Sequence, residues 1–321
     1  MPADLVLPPL SDPPPPGSRT VRTDDGVDLH VEVEENDAAP VTVVLAHGFT
    51  ARLAEWQLQR QALRSRARLV LFDQRGHGRS AATDLTDATI DRTGRDLGEV
   101  LDATTPEGPV VLAGHSMGGM SVMALARQRP ELFGTRVVGV FLLATSAGGL
   151  VESGLVGRAV KLVRRLGLLP LYLWLLQAMA PLLERHRRRG TKFGRWFTRR
   201  YLFGRHDADP ARVRLVQDLL EETPYPVVMA FYATFLDHDE TAALPVLARV
   251  PVTVVAAEED RLTPAAHGRR MAELIGDAAE LVVVPGAGHS VNLTRTAVVD
   301  QAFLDLLDRV RRPGPGLRRT G

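Results

Sequence analysis

The sequence predicts an α/β protein: a mostly parallel, twisted sheet flanked by helices, with an all-helical cap inserted into it. Three observations predict it. Short apolar runs recur along the chain, VTVVLA at 41–46, LVLF at 69–72, VVLA at 110–113, VVGVFLLA at 137–144, VTVVAA at 252–257 and LVVV at 281–284. They are continuous rather than alternating, as strands buried on both faces of a parallel sheet are. Helical patterns such as WQLQRQAL, DLGEVLDA and SVMALARQ lie between several of them, and strands alternating with helices imply a parallel sheet. The alternation breaks once, between 149 and 250, where no strand pattern is evident and helical patterns follow one another.

The elements are read in order from the N-terminus. Pro13 to Pro16 enforce an extended, solvated arm, so residues 1–18 are expected to be disordered. Val21, then Val27, Leu29, Val31 and Val33, alternate around Asp25-Gly26, which signals a β-hairpin. Residues 19–149 and 250–311 form the predicted core, 150–249 the helical cap, and 312–321 a flexible tail rich in Pro, Gly and Arg. The N-terminus has no basic start and no apolar stretch long enough for a secretory signal, which makes a cytoplasmic protein the expectation.

Composition closes several routes. The 321 residues hold no Cys, which excludes disulfides, thiolate zinc sites, iron–sulfur clusters and a cysteine nucleophile. Lys plus Arg (39) and Asp plus Glu (38) nearly cancel, so overall charge gives no reason to expect a nucleic-acid partner. No dinucleotide fingerprint or Gly-rich phosphate loop is present, and no cofactor is expected. Asp237-His238-Asp239-Glu240 has no metal-ligand spacing and reads as a solvated loop, so no metal is expected either.

The strongest local signal is Gly114-His115-Ser116-Met117-Gly118. It follows one apolar run and opens a helical pattern, the strand–turn–helix context of a nucleophile elbow. A serine on such a turn needs neighbours without bulk two positions away on each side, and glycine supplies them. The helix N-terminus behind it favours negative charge at the reaction centre. A serine hydroxyl is a weak nucleophile that needs a base, and the base needs an orienting acid. His289, in LVVVPGAGHS, and Asp260, in VTVVAAEEDRLTP, each follow a predicted strand. Glu258 and Glu259 are rival acids, ranked below Asp260 because the turn-like Arg-Leu-Thr-Pro follows it. His47-Gly48-Phe49-Thr50 ends another strand, and the backbone N–H groups of Phe49 and Met117 are the candidate oxyanion donors.

HGFT at 47–50, DQRGHGRS at 73–80, GHSMGG at 114–119, EEDRLTP at 258–264 and GAGHS at 286–290 together resemble the α/β-hydrolase superfamily. The likeness covers roughly 20–149 and 250–311, with the helical insertion at the family's cap position. It implies Ser116 as nucleophile, His289 as general base and Asp260 as orienting acid, with Asp73, Arg75 and His77 as scaffold. Ser rather than Asp at the nucleophile position argues against epoxide hydrolases and haloalkane dehalogenases. The HGGG loop of many lipases and the HGxGPG loop of carbon–carbon bond hydrolases are both absent. The resemblance is therefore to the esterase, lipase and cofactor-free haloperoxidase group. It implies hydrolysis of a small apolar ester through an acyl-enzyme. Perhydrolysis, acyl transfer to another acceptor, or a ligand receptor on the same scaffold are the alternatives.

The cap holds 11 of the 17 aromatic residues, which suggests an apolar substrate pocket. Residues 151–205 carry 13 Lys and Arg against Glu152 and Glu184. Leu166 to Leu183 is uncharged but interrupted by Pro170 and Pro181. The uninterrupted piece would make about 15 Å of helix against a hydrocarbon core of roughly 30 Å, too short to span. Leu155, Ala159, Leu162, Val163 and Leu166 lie opposite Arg158, Lys161, Arg164 and Arg165 on one helix. The favoured expectation is that this apolar face packs over the active site. The alternative is peripheral contact with an anionic membrane surface.

Overall fold

The computed structural model describes residues 10–82, 85–150, 154–185, 192–207 and 209–311. Strands β1 (Ser18–Arg22) and β2 (Asp28–Glu34) form the expected antiparallel hairpin. Gly26 closes it at φ 85°, a conformation that costs glycine little. Six further strands follow at the six apolar runs: β3 (Thr42–Ala46), β4 (Arg68–Phe72), β5 (Val110–His115), β6 (Val137–Leu143), β7 (Val252–Ala257) and β8 (Ala279–Val284). Their spatial order is β1-β2-β4-β3-β5-β6-β7-β8. β2 pairs antiparallel with β4, and every later pairing is parallel.

Continuous apolar runs are needed because both faces of this sheet are covered. Val44, Ala46, Val70, Phe72, Leu112 and Leu142 point into one core with helices α2 (Ile90–Thr104) and α3 (Met117–Gln128). Their neighbours Val43, Leu45, Leu69, Leu71, Val111 and Phe141 point into the other. There they meet Leu63 of α1 (Gln57–Leu63) and Phe303, Leu306 and Leu307 of the last long helix. Phe141 and Phe303 stack at 3.8 Å. The period of two along each strand thus splits one apolar run between two cores.

Between β6 and β7 the described residues form helices α4 (Gly154–Arg165), α5 (Leu169–Arg185), α6 (Lys192–Tyr201), α7 (Pro210–Glu222), α8 (Tyr225–Leu236) and the single turn α9 (Leu244–Leu247). α8 anchors this segment to the first core through Val227, Ala230 and Phe231, and α5 packs on α8. A third cluster joins Leu202, Phe203, Val213 and Val216 to Leu293. The chain then forms α10 (Ala265–Ile275), the short α11 (Val291–Thr294) and α12 (Thr296–Arg311).

Two expectations change here. Residues 10–17 are tied to the body, because Arg79 donates to the carbonyls of Leu10 (3.0 Å) and Asp12 (2.7 Å), and β1 already begins at Ser18. Residues 1–9 of the expected arm and the expected tail 312–321 lie outside the described residues. On α4, Leu162 and Leu166 are 57% and 60% exposed. These two positions of the apolar face therefore do not pack over the rest of the molecule, while Val163 of the same face is half-buried; the side chains of Leu155 and Ala159 are outside the described set.

Candidate active site

The site begins with a strained residue. Ser116 stands between β5 and α3 with φ 51° and ψ −117°, a backbone state that costs a non-glycine residue about 1–3 kcal/mol unless its surroundings enforce it. They do so from both sides: its N–H donates to the Leu143 carbonyl (2.9 Å), and its carbonyl accepts from the Thr145 hydroxyl (2.6 Å). The flanking glycines are steric requirements. A Cβ on Gly114 would lie 2.3 Å from the backbone of Gly118, and one on Gly118 would lie 2.2 Å from the Ala46 carbonyl oxygen.

Three side chains named from the sequence converge at this turn. Ser116 Oγ is 2.9 Å from His289 Nε2, and His289 Nδ1 is 2.7 Å from Asp260 Oδ2. With Nδ1–H donating to the carboxylate, Nε2 is left as an acceptor for the serine O–H. The other oxygen of Asp260 accepts the N–H groups of Leu262 (2.8 Å) and Thr263 (2.9 Å). The Thr263 hydroxyl lies 2.8 Å from both Asp260 Oδ2 and the Ala144 carbonyl. Burial by itself would raise the Asp260 pKa. The charge and hydrogen bond of His289, with the two N–H donors, outweigh it and hold the carboxyl below its ordinary value. Asp260 therefore stays ionised while buried.

The rival acids are occupied elsewhere. Glu258 accepts the Gly286 N–H (2.9 Å) and Glu259 the Arg205 N–H (2.7 Å). Both hold the loops around His289 without touching its ring.

The His47-Gly48-Phe49-Thr50 loop runs directly beneath the elbow. A Cβ on Gly48 would come within 2.9 Å of the His115 ring and 3.4 Å of Ser116 Cβ. His47 shapes the turn: its Nε2 accepts the Gln74 N–H (2.9 Å) and its Nδ1 bonds the Gly48 carbonyl (2.7 Å). Burial lowers its pKa, consistent with a neutral ring. Among the described residues the N–H groups of Phe49 and Met117 donate to no backbone carbonyl.

A buried ion pair, missed by the sequence reading, ties these loops together. Glu55 pairs with His115 Nδ1. The same carboxylate accepts the Gly48 N–H (2.7 Å), and His115 Nε2 bonds the His289 carbonyl (3.1 Å). Burial opposes both charges, yet the pairing lowers the Glu55 pKa and raises that of His115. One pair thus reaches the His47–Thr50 loop, the elbow and the histidine loop. Nothing in sequence spacing flags it, since Glu55 and His115 meet only when β3 and β5 pair.

Asp73, Arg75 and His77 are structural in this geometry. Asp73 accepts the N–H groups of Leu53 (2.7 Å) and Arg79 (2.8 Å). Arg75, fully buried, binds Asp96 of α2 (2.6 Å) and Asp25 of the hairpin turn (2.9 Å). The Asp237–Glu240 stretch is not the solvated loop expected. His238 and Glu240 are buried, the first bonded to the Ser146 carbonyl (2.9 Å) and the second paired with Arg127 (2.8 Å). It is a junction between α8 and the sheet, and no group of residues able to hold a metal ion occurs among the described residues.

An aromatic wall stands beside the His47–Thr50 loop. The Phe49 ring lies 5.0 Å from that of Phe235 and 6.1 Å from that of Phe231, both on α8, and 6.0 Å from His77. Burial, with His47 nearby, pushes the His77 pKa down to about 3, so His77 is a neutral part of this wall. Phe231 and Phe235 are two of the eleven aromatic residues of the 150–249 segment, whereas Trp174, Trp196 and Phe197 of the same segment are 61%, 55% and 42% exposed.

A mostly parallel sheet carrying a strained serine at the end of a central strand, with a histidine and an acid on later strand ends, defines the α/β-hydrolase class. The family model described as the alpha/beta hydrolase family matches residues 43–301, and the chain belongs to that family. It is 30% identical over 278 residues to the "Putative carbamate hydrolase RutD" of Caulobacter sp. (strain K31), covering 83% of this chain and 90% of that one. In fold it is similar to a thermophilic esterase from Thermogutta terrifontis, at TM-score 0.72 and 24% identity over 92% of this chain and 99% of the other. It is also similar to the enol-lactonase of Burkholderia xenovorans LB400, at TM-score 0.71 and 22% identity over 90% and 100% of the two chains.

Proposed function

We propose that the chain is a serine hydrolase that cleaves carboxylic esters with an apolar acyl or alcohol group through an acyl-enzyme. The observation that carries this reading is the unbroken relay from Ser116 Oγ through His289 to Asp260 on a strained elbow. Ser116 attacks the ester carbonyl as His289 Nε2 takes its proton. The N–H groups of Phe49 and Met117 hold the oxyanion, and His289 returns the proton to the departing alcohol. Water, activated by the same imidazole, then releases the acid. Asp260 keeps His289 in the productive tautomer and stabilises the imidazolium. The Phe49, Phe231 and Phe235 wall gives an apolar group its place, and the helices within 150–249 serve as the cap that supplies it. A carbamate, for which the Caulobacter relative is named, offers the same carbonyl to the same relay and is the second substrate class to try.

A fluorophosphonate probe tests the mechanism: the wild-type chain is expected to label and Ser116→Ala to stay unlabelled. A panel of p-nitrophenyl esters from acetyl to palmitoyl, with a p-nitrophenyl carbamate beside it, tests the substrate class. Labelling of Ser116→Ala, or a labelled protein that turns over none of the panel, would overturn the reading.

A further inference from the structure

Helix α5 is amphipathic in an unusual sense. The side facing α8 holds the buried Ala180 and the half-buried Tyr172, Leu173 and Leu176, while the other side is just as apolar and faces solvent. Leu171, Trp174, Leu175, Met179 and Leu182 are exposed by 51%, 61%, 46%, 48% and 55%. They recur at steps of three and four, which places them along one stripe. Leu162, Leu166 and Leu168, equally exposed, lead into it. Soluble monomers seldom leave a contiguous apolar surface of this kind uncovered.

Charge says what covers it. Lys161 and Arg165 stand exposed before the stripe, and Arg185 and Lys192 stand exposed after it. On α6 and the Asp260 loop, a cavity of about 370 Å³ is lined by Arg199, Arg200, Arg205 and Arg261 beside Trp196. Residues 151–205 carry 13 basic residues against two acidic ones in a chain of net charge +1, so the remainder is acidic by ten charges. A second copy placed face to face would bring like charges together. A nucleic acid would leave the aliphatic stripe in water. A bilayer with anionic headgroups satisfies both parts: acyl chains for the stripe, phosphates for its cationic ends.

We propose that α4–α6 form a docking surface for an anionic lipid bilayer, with the α5 stripe lying in the headgroup–acyl boundary. No described helix is long and apolar enough to cross a membrane, so contact is parallel to the surface and reversible. The acidic remainder of the chain is repelled by the same bilayer, which orients the molecule with this face down. This inference stands independently of the reaction proposed for Ser116.

Co-sedimentation of the full chain with phosphatidylcholine vesicles, against vesicles of phosphatidylcholine mixed with phosphatidylglycerol, tests it. Roughly tenfold or greater preference for the anionic vesicles is expected at low salt, falling as salt screens the cations. The combined variant Leu171→Ser, Trp174→Ser and Met179→Ser is expected to lose binding. Neutralising Lys161, Arg165, Arg185 and Lys192 to Gln is expected to remove the preference. Circular dichroism and a thermal melt of each variant verify the fold, since every altered side chain is exposed. If a variant fails that check, wild-type binding at low against high salt decides. No pelleting, equal pelleting on both vesicles, or folded variants that bind like wild type would overturn the proposal. So would a wild-type dimer in sedimentation velocity that the serine variant dissolves, because the stripe would then be a contact between copies.

Discussion

Around Ser116 the molecule gives its buried acids partners within the chain: Asp260 has His289, Thr263 and Leu262, and Glu55 has His115 and Gly48. Along α5 it does the reverse and sets Trp174 and Leu171 in solvent. The first region is finished within the chain. The second has its apolar surface arranged for something outside it. A site whose parts are all internal can be preorganised, with donors and charges fixed before substrate arrives. A surface that awaits a partner carries a free-energy cost until the partner covers it. The helical segment that carries α5 nevertheless reaches the first region, just past the end of α6. The Ser290 N–H donates to the Leu202 carbonyl (2.9 Å), and a Cβ on Gly288 would lie 2.4 Å from the Phe203 backbone.

The sharpest way to break the first half of this comparison is to spoil the relay without altering its shape. Asp260→Asn keeps the size of the side chain and its acceptor for the backbone donors, but it cannot stabilise the imidazolium or hold Nδ1–H toward it. In serine proteases the equivalent change lowers kcat about 10⁴-fold, and a loss of that order with a largely unchanged KM is expected in ester turnover. Glu259→Gln, in contact with Arg205 rather than with His289, is expected to stay within a few-fold of wild type. A nearly silent Asp260→Asn would remove Asp260 from the relay.

That contact between the helical segment and the histidine loop is tested by Gly204→Ala. A Cβ there would sit 1.9 Å from the Gly286 carbonyl oxygen, closer than any relaxed contact, so one of the two backbones must shift. Overpacking of this kind costs about 1–3 kcal/mol. The melting temperature is expected to fall, and kcat with it, because the loop of Gly286 also carries His289. An unchanged melt and an unchanged kcat would mean that the helical segment and the histidine loop are mechanically independent.

Much of the first region was legible in the sequence because local backbone geometry dictates it. The elbow needs glycine at 114 and 118 whatever surrounds it, and continuous runs such as VTVVLA reflect burial on both faces. Asp260 and His289 were legible because strand ends fall on one edge of a parallel sheet. Glu55 and Phe235 were not, since each acquires its role from a residue distant in sequence that only strand pairing or helix docking brings near. The α4 and α5 faces misled for a related reason. Periodicity identifies which residues share a face, and it is silent on what that face meets. The same gap hid the burial of His238 and Glu240 in a stretch whose composition reads as surface.

The smallest predicted effect concerns an acid whose pKa moves the opposite way from that of Asp260. Asp300 on α12 is half-buried, and burial pushes its pKa up to about 6, against a smaller lowering by the hydrogen bond from Gln59 Nε2 (3.1 Å). Asp260 is more deeply buried yet shifts the other way, because a histidine and two N–H groups outweigh the desolvation. The sign follows from linkage. A carboxyl whose folded pKa lies above its unfolded value binds its proton more tightly when folded, so stability is lost as pH rises from about 4 to about 6, and the full cost persists above that. Asp300→Asn removes the titration and keeps an oxygen for Gln59. Its melting temperature is expected to exceed that of wild type by a degree or so at pH 8, a modest gain because solvent still reaches the group. The difference is expected to shrink toward zero at pH 4, where wild-type Asp300 is protonated. A gain that is equal at both pH values would show that the amide improves packing alone. A loss at pH 8 would show that the carboxylate is held by its surroundings as firmly as Asp260 is.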